Sequence, residues 1–175
     1  MALTPRRHGV KMTEATVGGV TYKTPSSSIW GLVAVAPNAD ADVFPLNTPV
    51  IVTDLGAAIV AAGAAGTLAV SLKAIEDQVR AIGVVVRVEE GAGANAAEKL
   101  ADQNAKLIGG GAAGSRTGMQ ALLDAESATG IRPRIVAAPG FSAATVGAAL
   151  GILAGKLNAI AYFDEVGFSD FVHTG

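Results

Sequence analysis

The residues best placed to do chemistry form a glycine-containing segment that runs from Gly91 to Ala96. Its spacing, G-x-G-x-x-A, follows a β-branched run and precedes a helical pattern. In that context backbone N–H groups can hold a pyrophosphate. A dinucleotide site also needs an acidic residue about twenty positions later, but residues 109–116 have the sequence GGGAAGSR. The spacing therefore favours a turn that joins a strand to a helix.

The other candidate motifs are weaker. Residues 151–157 look like a phosphate-binding loop, but the first glycine is one position late and Leu157 stands where Ser or Thr would bind magnesium. Adjacent carboxylates could act as a general acid and base, but no motif places a basic partner beside them. Solvated ends of helices and strands are the favoured interpretation of these pairs, which are Glu76-Asp77, Glu89-Glu90 and Asp164-Glu165.

The residue inventory removes several kinds of site. The chain has no cysteine, which excludes disulfides, thiolate nucleophiles and Cys-built zinc sites. Its two histidines, His8 and His173, lie near opposite ends without metal-ligand spacing. The sequence thus predicts a protein that is not an enzyme and that has no metal or cofactor. A small Rossmann-like nucleotide-binding enzyme that uses Gly91 to Ala96 stays open as an alternative.

Charge and hydropathy exclude two kinds of partner. Thirteen basic and fifteen acidic residues give a net charge of −2, and the basic residues are scattered instead of gathered on one segment, so no nucleic-acid partner is expected. The stretch from Leu55 to Leu72 carries no charge over 18 residues, about the length that crosses a bilayer. Glycines at 63 and 66 divide it, so we expect no membrane insertion.

Strand and helix patterns alternate along the chain. They predict an α/β fold with an open, largely parallel or mixed sheet, helices on both of its faces and an extended N-terminal arm. One helix should continue to Ile82, because Leu68, Leu72, Ile75, Val79 and Ile82 form a single stripe. Thr53-Asp54, Asn95 and Ser142 are predicted helix caps. The predicted strands cover 29–36, 49–53, 84–88, 133–140 and 159–164, and the predicted helices cover 55–62, 68–82, 96–108, 117–128 and 142–157.

The chain divides into three predicted parts: an arm over residues 1–28, an α/β domain over 29–164 and an irregular tail over 165–175. The arm is polar and contains one strand-like stretch, which could complete the edge of a neighbouring sheet or fold back on its own domain. It is our candidate subunit-linking segment and consists of Val10, Lys11, Met12, Thr13, Glu14, Ala15, Thr16 and Val17.

Several blocks of the sequence resemble a known family. From about residue 8 to residue 163 the chain is similar to the contractile tail sheath protein of P2-like myophages and R-type tailocins. The most specific blocks are the loop at residues 44–49 and the helix-strand unit at residues 122–139. The blocks are HGVKMTE at 8–14, IWGLVAVAP at 29–37, FPLNTPV at 44–50, TL at 67–68 leading to IEDQ at 75–78, GMQALLDAES at 118–127 and RPRIVAAPG at 132–140.

The resemblance implies a structural subunit that polymerises with other sheath subunits around a tail tube protein. Such a sheath contracts to drive the tube through the bacterial envelope, and it assembles in the host cytoplasm into the tail of the virion. The family's N-terminal extensions add strands to sheets in adjacent subunits, and the stretch from Gly9 to Val17 falls at that place. Family members continue for roughly as many residues again, so this chain is expected to be truncated relative to them. A tail adaptor that does not polymerise is a second alternative.

Overall fold

The computed structural model describes residues 28–163. The predicted strand at Val10 to Val17, the tail at 165–175 and both histidines lie outside these residues. The strands are β1 (Trp30–Val35), β2 (Pro49–Val52), β3 (Gly83–Val88), β4 (Ile135–Ala137) and β5 (Ile160–Tyr162). The helices are α1 (Leu55–Ala62), α2 (Leu68–Gln78), α3 (Ala96–Ile108), a 3₁₀ helix (Gly118–Asp124), α4 (Ala125–Thr129) and α5 (Ala144–Leu157).

The five strands form one mixed sheet in the order β2-β3-β1-β4-β5. β1 lies at the centre and pairs in parallel with β3 and β4, while β5 extends the parallel part beside β4. β2 runs antiparallel to β3 at the other edge. β1 and β3 are buried along their whole length, as expected for apolar strands covered on both faces.

Two hydrophobic layers pack on opposite faces of the sheet. One layer joins alternate residues of β1 and β3 to α1 and α2, through side chains such as Leu55, Leu68 and Leu72. The other layer joins the remaining strand residues to α3, the 3₁₀ helix, α4 and α5. Helices therefore lie on both faces, which confirms the predicted α/β fold class. Among residues 28–163, no helix combines the length and the apolar character needed to cross a bilayer.

Two of the predicted helix caps are confirmed. The Asp54 side chain accepts a hydrogen bond from the N–H of Ala57 at the start of α1. Asn95 caps α3 in the same way, through the N–H of Glu98. The third prediction is wrong: α5 has Ala143 at its N-cap and no side-chain cap. A turn from the Phe141 N–H to the Ala138 carbonyl brings the Phe141 side chain against the core, which places the start of the helix beyond Ser142.

The predicted extent of α2 is also wrong, because the helix ends at Gln78 and Val79 is extended, with φ −158°. The indole N–H of Trp30 donates to the Ala81 carbonyl at 3.1 Å. This bond holds the chain just before it enters β3 at Gly83, so the apolar stripe is interrupted. Val79 and Ile82 are consequently exposed.

The helix predicted at 117–128 is divided into a 3₁₀ segment and the short helix α4. Met119, Leu122 and Ala125 are fully buried and are spaced by three residues. A 3₁₀ helix has three residues per turn, so this spacing places Met119 and Leu122 on one face, and Ala125 follows them as the first residue of α4. Burial against the sheet thus accounts for the tighter helix.

Candidate functional site

The glycine segment at residues 91–96 forms the connection between β3 and α3. Three of its backbone N–H groups are bound by side chains of α3 itself. Gly91 donates to Oε1 of Gln103 at 2.7 Å, and Ala92 donates to Oδ2 of Asp102 at 2.8 Å. Ala94 donates to Oε2 of Glu98 at 2.8 Å. Side-chain oxygens of α3, two from carboxylates and one from the Gln103 amide, thus accept the hydrogen bonds of N–H groups that a pyrophosphate would need.

The glycines of this segment are explained by close packing. A Cβ at Gly91 would lie 2.3 Å from the Lys99 carbonyl oxygen, and a Cβ at Gly93 would lie 2.6 Å from Cβ of Glu98. Both neighbours are on α3, so the loop lies directly on the helix that follows it. This geometry agrees with the interpretation of the segment as a strand-to-helix turn. It provides no support for the nucleotide-binding alternative.

A charge cluster of Lys106, Asp102 and Glu89 connects α3 to the same loop. The Nζ atom of Lys106 lies 2.9 Å from Asp102 and 3.1 Å from Glu89, and it donates to the Glu90 carbonyl at 2.9 Å. The hydrogen bond from Ala92, followed by that from Lys106, lowers the pKa of Asp102. The hydrogen bonds to Asp102 and Glu89 raise the pKa of Lys106. Of the Glu89-Glu90 pair, the Glu89 carboxylate therefore takes part in a structural ion-pair network, and Glu90 contributes its backbone carbonyl.

The remaining motifs occupy regular structure. Residues 151–157 lie inside α5, where a Cβ at Gly151 or Gly155 would meet nothing within 4 Å. Glu76 and Asp77 are exposed on α2, whereas Asp164-Glu165 lies outside the described residues. Within residues 28–163 no three His, Cys, Asp or Glu side chains are grouped so that they could hold a metal ion.

Two of the sequence blocks that carry the family resemblance meet in space. Asn47, in the loop before β2, has a left-handed backbone with φ 54°. Its N–H donates to the Arg87 carbonyl, and its Oδ1 accepts from the N–H of Gly118 at 2.8 Å. Close by, Arg116 forms an ion pair with Asp124. Asn47 thus joins the block at 44–50 to the block that begins at Gly118.

The sequence did not predict an apolar groove between α2 and the β4–β5 part of the sheet. The groove has a volume of about 620 Å³, and its lining includes Trp30, Leu32, Val70, Ile75, Ile135 and Tyr162. The one available signal is the alternation at 159–163, where large side chains at Ile160 and Tyr162 alternate with alanines. Ile160 is 60% exposed and Tyr162 is 61% exposed.

Comparison with known proteins confirms the resemblance to tail sheath proteins. The chain is 44% identical over 161 residues to the tail sheath protein of Escherichia phage P2. It is 43% identical over 156 residues to the major tail sheath protein of Serratia phage KSP20. These alignments cover 91% and 89% of this chain, but only 41% and 39% of the two relatives. The chain therefore spans about two fifths of their length. No protein-family model matches the sequence.

Proposed function

We propose that this chain is a structural subunit of a contractile phage tail sheath. The observation that carries the proposal is the 44% identity over 161 residues to the phage P2 tail sheath protein. At that level of identity over nine tenths of the chain, a common fold and a related role are the simplest explanation. Its partners are other copies of the subunit and the tail tube protein, and its place is the virion tail after assembly in the host cytoplasm.

A sheath subunit acts through its surfaces and has no need of a reactive centre. The hydrogen bonds within the loop at 91–96 and the ion pairs of Lys106 fit such a role. The backbone N–H groups and the ammonium group that could bind a ligand are already paired within the chain. Contraction requires subunit interfaces with two stable arrangements that differ in free energy. The folded domain moves as a unit between them, which suits a domain whose central strands β1 and β3 are buried on both faces.

The segment Val10 to Val17 is our proposed link between subunits. Its alternating side chains suit a strand that joins the sheet edge of a neighbour through backbone hydrogen bonds. A link of this type keeps neighbours connected while their other contacts change. It follows that removal of the arm should abolish assembly and leave the α/β domain folded.

Assembly can be tested by light scattering and negative-stain microscopy of the chain with and without residues 1–20. We expect rings or tubes that disappear when the arm is removed. Thr13→Pro deletes one backbone donor within the arm and should also prevent assembly. The matched variant Thr13→Val keeps a β-branched side chain and the donor, so it should assemble normally.

Three results would contradict parts of the proposal. A monodisperse monomer for the intact chain would refute polymerisation by this chain and would favour the non-polymerising adaptor. Assembly that persists without residues 1–20 would refute the role of the arm. Equal behaviour of Thr13→Pro and Thr13→Val would show that backbone pairing at this position is not the link.

A further inference from the structure

One half of one sheet face carries no helix. Helices α3, α4 and α5 cover the sheet on one side, whereas on the other side α1 and α2 pack over β1 and β3. Beyond α2 the face of β4 and β5 is bare among the described residues, and Ile160 and Tyr162 project from it. Parallel strands are normally buried on both faces, so this part of the sheet is suited to receive a further segment of chain.

The groove described above is the space that such a segment would fill. Its floor is formed by β1, β4 and β5, and its wall is formed by α2, with Val70 and Ile75 facing the opening. Val70 is 70% exposed, which is unusual for a valine next to an apolar floor. The groove follows α2, an 11-residue helix with a length of about 16 Å.

We propose that residues 164–175 of this chain lie in the groove. They follow directly on Phe163, next to the groove residue Tyr162. Four of these twelve residues are large and apolar, namely Val166, Phe168, Phe171 and Val172. Twelve residues cover about 18 Å as a helix and about 40 Å when extended, so either conformation can span the groove.

The strand order shows which face of the sheet each crossover covers. In the order β2-β3-β1-β4-β5, the connections from β3 to β4 and from β4 to β5 run towards β5 and cross the face of α3 and α5. The connection from β1 to β3 runs the other way and crosses the face of α1 and α2. Parallel crossovers are right-handed. A right-handed crossover that left β5 towards a parallel strand nearer β1 would by the same rule cross the face that contains the groove.

A pair of matched valine substitutions in the full chain tests the proposal. Val70→Glu places a carboxylate in the groove, whereas Val60→Glu places it on neighbouring α1, outside the groove, where Val60 is 83% exposed. If the groove is filled, Val70→Glu should lower Tm by roughly 4–8 °C, since it buries a charge. Val60→Glu should change Tm by less than about 2 °C. Equal effects of the two substitutions would overturn the proposal.

The occupant is identified by repeating both substitutions together with Phe168→Ser and Phe171→Ser. The extra loss caused by Val70→Glu should then fall to the level of Val60→Glu, because the segment no longer packs in the groove. An undiminished loss would overturn the proposal and would indicate residues 1–27 or a second copy as the occupant. A second copy would also make Tm depend on protein concentration.

Because the chain has no cysteine, a disulfide provides an independent measurement. The pair Val70→Cys with Phe168→Cys should oxidise to a bridge within one chain faster than the control pair Val60→Cys with Phe168→Cys. Mass spectrometry of mixed ¹⁴N- and ¹⁵N-labelled protein distinguishes bridges within a chain from bridges between chains. Equal oxidation rates of the two pairs, or bridges only between chains, would refute the placement of residues 164–175.

Discussion

The packing of Trp30 against Gly83 gives the sharpest stability prediction. The two residues are register partners on neighbouring parallel strands, and the indole ring lies directly over the glycine. A Cβ at Gly83 would be 2.0 Å from Cδ2 of Trp30 and 2.2 Å from Cε2. No side chain can share that space, so Gly83→Ala must displace the ring.

The size of the effect follows from what the ring would lose. Trp30 is 7% exposed, and its N–H donates to the Ala81 carbonyl. Overpacking a core position costs about 1–3 kcal/mol when the ring shifts and stays inside. If the ring leaves the core, the cost approaches the roughly 3–5 kcal/mol of deleting a large aromatic side chain. We therefore expect Gly83→Ala to reduce the free energy of unfolding by about 2–4 kcal/mol.

The chain has a single tryptophan, so its fluorescence reports on this contact alone. Urea titrations of the variant should show a lower midpoint and a red-shifted native emission maximum. Gly151→Ala in α5 is the matched control, since a Cβ there meets nothing within 4 Å. It should stabilise the protein by about 0.5–1 kcal/mol through helix propensity. A Gly83→Ala protein with unchanged midpoint and emission would refute the packing argument.

Two further predictions concern the loops that the charge cluster and Asn47 hold in place. Because hydrogen bonds from Ala92 and Lys106 lower the pKa of Asp102 in the folded state, its contribution to stability is present above the unfolded pKa and is lost as pH falls through the folded pKa. Asp102→Asn should therefore destabilise the protein at pH 7, and the difference from the unmodified chain should shrink as pH falls below about 4. Urea midpoints measure this difference, with Asp77→Asn at an exposed position of α2 as the control. A stability difference that is independent of pH would contradict this assignment. Asn47→Ala should cost about 1–3 kcal/mol, because it removes the acceptor for Gly118 and leaves an alanine at φ 54°. Asn47→Gly relieves the backbone strain and should cost less by about 1 kcal/mol in the same denaturation assay; the reverse order would show that the left-handed backbone is not the main constraint.

Local signals predicted the elements whose ends depend on local chemistry. Helix α3 has the predicted bounds because Asn95 caps its first turn and Gly109 ends it with φ 61°. The buried strand β1 follows from a run of apolar residues that needs no partner to be recognised. Residues 91–96 were predicted to form a turn because no acidic residue follows about twenty positions later, as a dinucleotide site requires. The contacts of Gly91 and Gly93 with α3 give the physical reason for the turn.

The end of α2 and the groove depend on tertiary contacts, which sequence patterns do not predict. The apolar stripe at Val79 and Ile82 continues past the end of α2, but the anchoring of Ala81 by Trp30 decides where the helix ends. The groove depends on the order of the strands, which fixes the face that each crossover covers. A periodic pattern along one segment contains no information about that order.

The central position of β1 has a consequence for synthesis on the ribosome. β1 pairs with β3 through Trp30 and Gly83, and with β4 through Trp30 and Ile135. The second partner of β1 is thus translated late, since Ile135 follows Trp30 by 105 residues. At about 5–20 residues per second, this delay is roughly 5–20 s. During that time at least one edge of this apolar strand has no partner, so binding by a chaperone at residues 29–36 would protect the nascent chain from aggregation.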